Sequence, residues 1–362
     1  MAGAGSLAAG GSLAGAGSPA AGGSLAGAGS PAPAGSRGKI AVLFVHGVGI
    51  REPNYARSAI RELRKEFAKA TLDAVAETDL IIESAYWAPA VMEREDHLRR
   101  AAFPDRVGGW FTGLNKLTNN ISNGSNLSML PMALSGIVRH VPGIPKIHWP
   151  TLRWAVTNFV GDIVAYQVTP NSRVVYDAVH ARVDEAMHRL AEQAPDAPLF
   201  VVAHSLGSVI ASDHFYDLHK GRRTGDTPLE RGETFTSFYT LGSPIALWME
   251  RFGDFSRPVE IPGKSSDDPV IAAAAEWINF YDADDVLAFP LKGLSDDYDR
   301  AVDEDRSVSV GAFLIGLSPV SHVAYWNDKS VLRPIANSLA WLWNARRDPT
   351  LVDRDGAGQG QR

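Results

Sequence analysis

This chain of 362 residues has no cysteine, which removes thiolate attack, thiolate metal sites and disulfides from its chemistry. A hydroxyl nucleophile would need a base to take its proton and a carboxylate to hold that base in the right tautomer. One serine stands in a suitable place. Ala203-His204-Ser205-Leu206-Gly207 follows the apolar run Leu199 to Val202 and precedes the helix-compatible Val209-Ile210-Ala211. A sharp strand-to-helix turn strains the backbone and packs it closely, so small residues are needed two positions either side of the serine; Ala203 and Gly207 supply them. The hydroxyl is then pushed out over the sheet edge, and the new helix offers its first N–H groups to a developing oxyanion. Alanine in place of the first glycine departs from the pattern G-x-S-x-G and leaves the steric argument standing.

On a parallel sheet the base and the acid must come from loops at the same strand ends. Of the ten histidines, only His322 follows every strand candidate, so an order Ser, acid, His makes His322 the base. The acid is less sharply defined. Trp277 to Tyr281 reads as a strand, and beyond it Asp282, Asp284 and Asp285 compete for one role. Asp285 lies deepest in the turn feeding Val286 to Leu291 and is preferred to Asp282.

The elements that would position these groups alternate. Ile40 to Val45 is an unbroken apolar run ending at His46-Gly47, which suits a strand buried on both faces of a parallel sheet. Pro53 opens a helix candidate with Ala56, Ile60, Leu63 and Phe67 on one stripe. Leu80 to Trp87 is the next strand, Ser172 to Gln193 a helix, and Leu199 to Ala203 the strand before Ser205. Further strands are expected at Thr234 to Leu241 and Glu276 to Tyr281, with a last helix near Lys329 to Trp343. Strand and helix in alternation imply a doubly wound, mostly parallel α/β sheet with right-handed crossovers. Residues 88–170 are too long for an ordinary crossover and read as a helical insertion, either extra core or a cap.

The ends differ from the middle. Residues 1–38 hold 12 of the 34 glycines in a near-duplicated dodecamer (GGSLAGAGSPAA, then GGSLAGAGSPAP). Such composition buries too little apolar surface to offset its backbone entropy and predicts a disordered tail. Residues 347–362 read as a second flexible tail, leaving 39–346 as the domain. The tail has no basic start and no continuous apolar stretch, so it does not read as a signal peptide, and no run approaches a membrane span. A cytoplasmic protein is expected. The net charge of −6 with no Lys/Arg run argues against nucleic acid as a partner. Gly263-Lys264-Ser265 lacks the upstream glycine of a phosphate loop, and His214 and His219 stand five apart rather than four, so neither an ATP site nor a metal is expected. Oligomeric state is not set by the sequence.

Five segments together resemble the α/β-hydrolase superfamily, in particular its lipase and esterase-like serine hydrolases: HGVG after the first strand, AHSLGS at the turn, LGSP at 241–244, W-x-N-x-Y-x-x-x-D-x-x-A-F-P-L from Trp277, and S-H-x-x-Y-W from Ser321. The resemblance spans about Lys39 to Trp343. It implies Ser205 as nucleophile, Asp285 as acid with Asp284 one residue away, and His322 as base. It also implies the N–H groups of Val48 and Leu206 as the oxyanion hole, and no cofactor. The expected substrate is a small-molecule or lipid ester with an apolar acyl group. A thioesterase, an acyltransferase or a silent binding module on the same frame are the alternatives.

Overall fold

In the computed structural model, residues 38–72, 78–91, 166–167, 173–250, 253, 255–311 and 321–352 are described. The predicted repeat tail, apart from its last residue, and all of the predicted insertion except 88–91 and 166–167 lie outside the described residues. The apolar runs become strands and the amphipathic stretches become helices, largely in alternation. In chain order these are β1 (Ile40–Val45), α1 (Arg57–Ala70), β2 (Leu80–Ala85), α2 (Val174–Gln193), β3 (Leu199–His204), α3 (Leu206–His219) and β4 (Phe235–Leu241). There follow α4 (Ile245–Glu250), α5 (Pro269–Ala274), β5 (Glu276–Tyr281), α6 (Asp296–Ala301), β6 (Glu304–Ser307), a 3-10 turn at Ser321–Asn327 and α7 (Lys329–Ala345).

The six strands form one all-parallel sheet in the order β2-β1-β3-β4-β5-β6. Every residue of β1, β3 and β4 is buried, as expected of central strands covered on both faces, including the polar Thr236, Ser237 and Thr240 of β4. Alternate side chains divide between two cores. Leu43, Val45, Val201 and Phe238 pack beneath α2 and α3, whereas Val42, Phe44, Phe200 and Tyr239 pack beneath α1 and α7. The end of α1 meets α7, where Asn344 donates to the Ala70 carbonyl at 3.3 Å, and Asp328 caps α7 by accepting from the Ser330 N–H at 2.8 Å.

Because β2 lies outside β1 and β3 lies on its other side, the chain reverses its direction of travel across the sheet between β1 and β3. At such a point the loops leaving neighbouring strands part and open a crevice at the carboxyl ends. Val45 pairs with Ala203, so His46-Gly47 and His204-Ser205 leave the sheet side by side. Two features depart from the sequence reading. β6 (Glu-Asp-Arg-Ser) has no apolar residue; it is an edge strand fixed by pairing with β5 and by the Asp305 carboxylate, which accepts the N–H groups of Leu291 and Lys292 at 2.9 and 2.7 Å. The domain also runs past the expected limit at 346, since Leu351 and Val352 pack on the α1/α7 core. Among the described residues, no helix is long and apolar enough to cross a membrane.

Candidate active site

Ser205 occupies the turn between β3 and α3 with φ 53° and ψ −132°. Among the described residues it is the only non-glycine with positive φ, a conformation costing about 1–3 kcal/mol that persists only when its surroundings enforce it. They do so from three sides. The Ser205 N–H donates to the Leu241 carbonyl at 2.9 Å, and the Ser205 carbonyl accepts from the Ser208 N–H at 2.9 Å and the Ser208 hydroxyl at 2.6 Å. With its one proton so used, Ser208 receives the Ser243 hydroxyl at 2.7 Å. Ser243, in the LGSP segment, is therefore a brace for the turn.

Close approach makes the glycines obligatory. A Cβ on Gly207 would stand 2.3 Å from the His46 carbonyl oxygen, and one on Gly47 would stand 2.5 Å from Ser205 Cβ. The loop carrying Val48 thus passes directly against the serine. Leu206, the first residue of α3, has an N–H that helix geometry leaves without an intrahelical partner. Both expected oxyanion donors belong to chain adjoining Ser205.

The three groups most distant in sequence meet over this turn. His322 Nε2 lies 2.6 Å from Ser205 Oγ, and His322 Nδ1 lies 2.7 Å from Asp285 Oδ2. A carboxylate only accepts, so Nδ1 carries the proton and Nε2 is left to accept from the serine hydroxyl. All three residues are buried. Burial alone would raise the Asp285 pKa, yet hydrogen bonding and charge from His322, the Leu287 N–H at 3.0 Å and the Tyr325 hydroxyl at 3.0 Å carry it below the usual carboxylate value.

The other two carboxylates go elsewhere. Asp282 accepts the Asp284 N–H at 2.9 Å and the Val310 N–H at 2.7 Å, binding the turn to the chain beyond β6. Asp284 is exposed. The Asp282 N–H in turn donates to the Tyr325 hydroxyl oxygen at 2.8 Å. Tyr325 therefore links the backbone of one aspartate to the carboxylate of the next, and burial together with the Asp285 charge keeps its phenol protonated.

Two more histidines frame the site without joining the relay. His46 donates from Nδ1 to the Gly47 carbonyl at 2.7 Å, accepts the Trp87 N–H at Nε2 at 3.2 Å and stacks on the Trp87 ring at 4.6 Å. Burial lowers its pKa to about 3, so it stays neutral and braces the loop bearing Val48. His204 faces the His322 carbonyl through Nε2 at 2.5 Å. Burial and then repulsion from His322 lower its pKa to about 3, so Nε2 is the protonated nitrogen and pins the His322 backbone.

Sequence reasoning missed Tyr325, Gly242 and the support from His204. The signals were present: Tyr325 follows His322 by three residues, one helical turn, and Gly242 opens the G-S-P turn. Gly242 has φ +57°, and a Cβ there would lie 2.8 Å from the Tyr325 ring and 3.1 Å from Asp285 Oδ2. Away from the site, Lys264 of the Gly-Lys-Ser segment is held by the Ala301 carbonyl at 2.8 Å and by Asp303. His214 lies between α3 and α2, with Nδ1 3.2 Å from His180 Nδ1. Comparison with family models, curated proteins and solved structures finds no match.

Proposed function

We propose that this protein is a serine hydrolase of the α/β-hydrolase type that cleaves carboxylic esters with an apolar acyl group. The observation that carries the reading is the relay Ser205–His322–Asp285, with spacings of 2.6 and 2.7 Å, on a strained turn at the sheet's switch point. A buried structural serine has no need of a forbidden φ, a glycine-only approach to the neighbouring strand and an imidazole oriented by a charged carboxylate.

In the reaction, Ser205 Oγ attacks the ester carbonyl carbon while His322 Nε2 takes its proton. The carbonyl oxygen becomes an oxyanion bound by the N–H groups of Val48 and Leu206. The carbon–oxygen bond to the leaving group breaks, and His322 returns the proton to the departing alkoxide. Water then attacks the acyl-enzyme, giving up a proton to His322, and the carboxylic acid leaves with Ser205 restored. Asp285 keeps its charge throughout and stabilises the imidazolium in each half. No step calls for a metal or an organic cofactor.

A fluorophosphonate probe tests the assignment directly. Wild-type protein becomes covalently labelled on Ser205, and Ser205→Ala does not label and loses about a million-fold in ester turnover. A folded wild type that resists the probe would place the chain among hydrolase-shaped binding modules instead. Graded p-nitrophenyl esters set against acyl-thioesters separate an esterase from a thioesterase.

A further inference from the structure

In the proposed reaction His322 takes the Ser205 proton, gives it to the alkoxide, takes one from water and returns it to Ser205. Its Nε2 therefore changes partner at every step, and only the Nδ1 side stays bonded to one group, Asp285, at 2.7 Å. A ring held at one nitrogen still follows any drift of its own backbone. A base that must return to the same place through both halves of the reaction needs its main chain held by a group that exchanges no proton with the substrate.

The residue before the nucleophile meets that need. His204 ends β3 and is buried, and its Nε2 donates to the His322 carbonyl at 2.5 Å. His204 and Ser205, joined by one peptide bond, thus grip the same histidine at its backbone and at its ring. The His204 ring packs 4.9 Å from the His322 ring, 5.8 Å from Tyr325 and 5.4 Å from Trp326. Its other nitrogen, Nδ1, lies 3.0 Å from where a Cβ on Gly47 would stand, so the ring sits between the base and the loop bearing Val48. The donor is also uncharged, since burial and then repulsion from His322 take its pKa to about 3. A lysine or arginine donor in its place would oppose the imidazolium that His322 becomes in each half-reaction.

We infer that His204 is a positioning residue for the base: its Nε2–H fixes the His322 main chain relative to Ser205 and the oxyanion loop, keeping proton transfer to the leaving group in register. This rests on the serine-hydrolase reading and adds to it a residue that touches no substrate.

The test compares His204→Gln, which keeps an N–H donor at the same reach, with His204→Met, which keeps the length and has no donor. His204→Phe keeps the aromatic packing instead and serves as a second donor-free variant. Hydrolysis of p-nitrophenyl hexanoate and ethyl hexanoate is measured per active serine, counted by fluorophosphonate bound at completion, so that any misfolded fraction drops out. Met and Phe are expected to lose about a hundredfold in kcat on the ethyl ester, the cost of about 1 Å of misplacement, with KM within about twofold of wild type. Gln recovers to within about tenfold of wild type. The loss should be at least about tenfold smaller on the p-nitrophenyl ester, whose phenolate departs without a proton from His322. Equal rates for Gln and the two donor-free variants, or equal losses on the two esters, would overturn the inference while leaving the serine-hydrolase reading intact. A wild type that neither labels nor hydrolyses either ester would overturn both.

Discussion

Replacing Gly207 by alanine tests whether the turn's tight approach to β1 is what positions Ser205, the proposed nucleophile. The added Cβ would meet only backbone: the His46 carbonyl oxygen at 2.3 Å, the Val45 carbonyl oxygen at 2.5 Å and the His46 carbonyl carbon at 2.8 Å. No side chain can rotate out of the way, and ordinary carbon–oxygen contact requires roughly 1 Å more than the closest of these distances. α3 and the end of β1 must therefore separate by about that amount. Overpacking of this kind costs about 1–3 kcal/mol, and a shift of about 1 Å at the reacting atom costs about a hundredfold in rate. Gly207→Ala is thus expected to lower the melting temperature and to slow fluorophosphonate labelling about a hundredfold. Gly221→Ala is the control. Gly221 has φ +66° with nothing near its Cβ position, so it should lose about 1 kcal/mol through backbone strain and label at the wild-type rate. Gly207→Ala protein that labels within twofold of wild type would refute the reasoning, because the steric conflict would then have been absorbed away from Ser205.

The three aspartates should separate cleanly under single replacement by asparagine. Asp285→Asn loses about ten-thousandfold in ester turnover; Asp284→Asn is near wild type; Asp282→Asn mainly lowers the urea midpoint, since its carboxylate holds the Asp284 and Val310 N–H groups. Tyr325→Phe strips one donor from Asp285 and leaves the buried Asp282 N–H unsatisfied, for an expected loss of about 1–3 kcal/mol in stability together with slower turnover. Unchanged melting would show that the phenol bears no load. Acid should unfold the protein early. His46, His204 and His214 are each lowered by burial from 6.5 to about 3, so below pH 6.5 the unfolded chain binds protons that the fold refuses. Stability present above that pH then falls by about 1.4 kcal/mol per pH unit for each imidazole, and urea midpoints that stay flat between pH 6 and 4 would contradict it.

How much of this was legible depended on whether a feature was written in local pattern or in pairing. The buried strands β1 and β3 announced themselves as apolar runs, and Ser205 was marked by the small residues its turn requires. His322 followed from order alone. The preference for Asp285 over Asp282 was legible as depth in the turn, but Asp284, one residue away, was not separable from it, because that depends on which carboxylate the turn directs toward His322. β6 was invisible for a related reason. As an edge strand it is not obliged to be apolar, and its hydrogen bonds come from β5 and from the chain that Asp305 gathers.

Tyr325 shows why the support of a site is harder to read than the site itself. A nucleophile, a base and an acid each need a particular functional group, so their candidates in any chain are few. A supporting hydroxyl needs only to arrive, and its position is fixed by what surrounds it. Here that is Gly242, whose missing side chain leaves room for both the Tyr325 ring and Asp285 Oδ2. The glycine leaves β4 and the acid leaves β5, with the Gly242 N–H bonded to the Phe280 carbonyl at 2.9 Å, while the tyrosine comes from the turn before α7. Parallel strands bring such residues to one edge because every strand delivers its loop on the same side. The same topology that converts sequence distance into contact for Ser205, Asp285 and His322 also lets Gly242, the residue just after β4, set how closely Tyr325 and Asp285 approach each other beside His322.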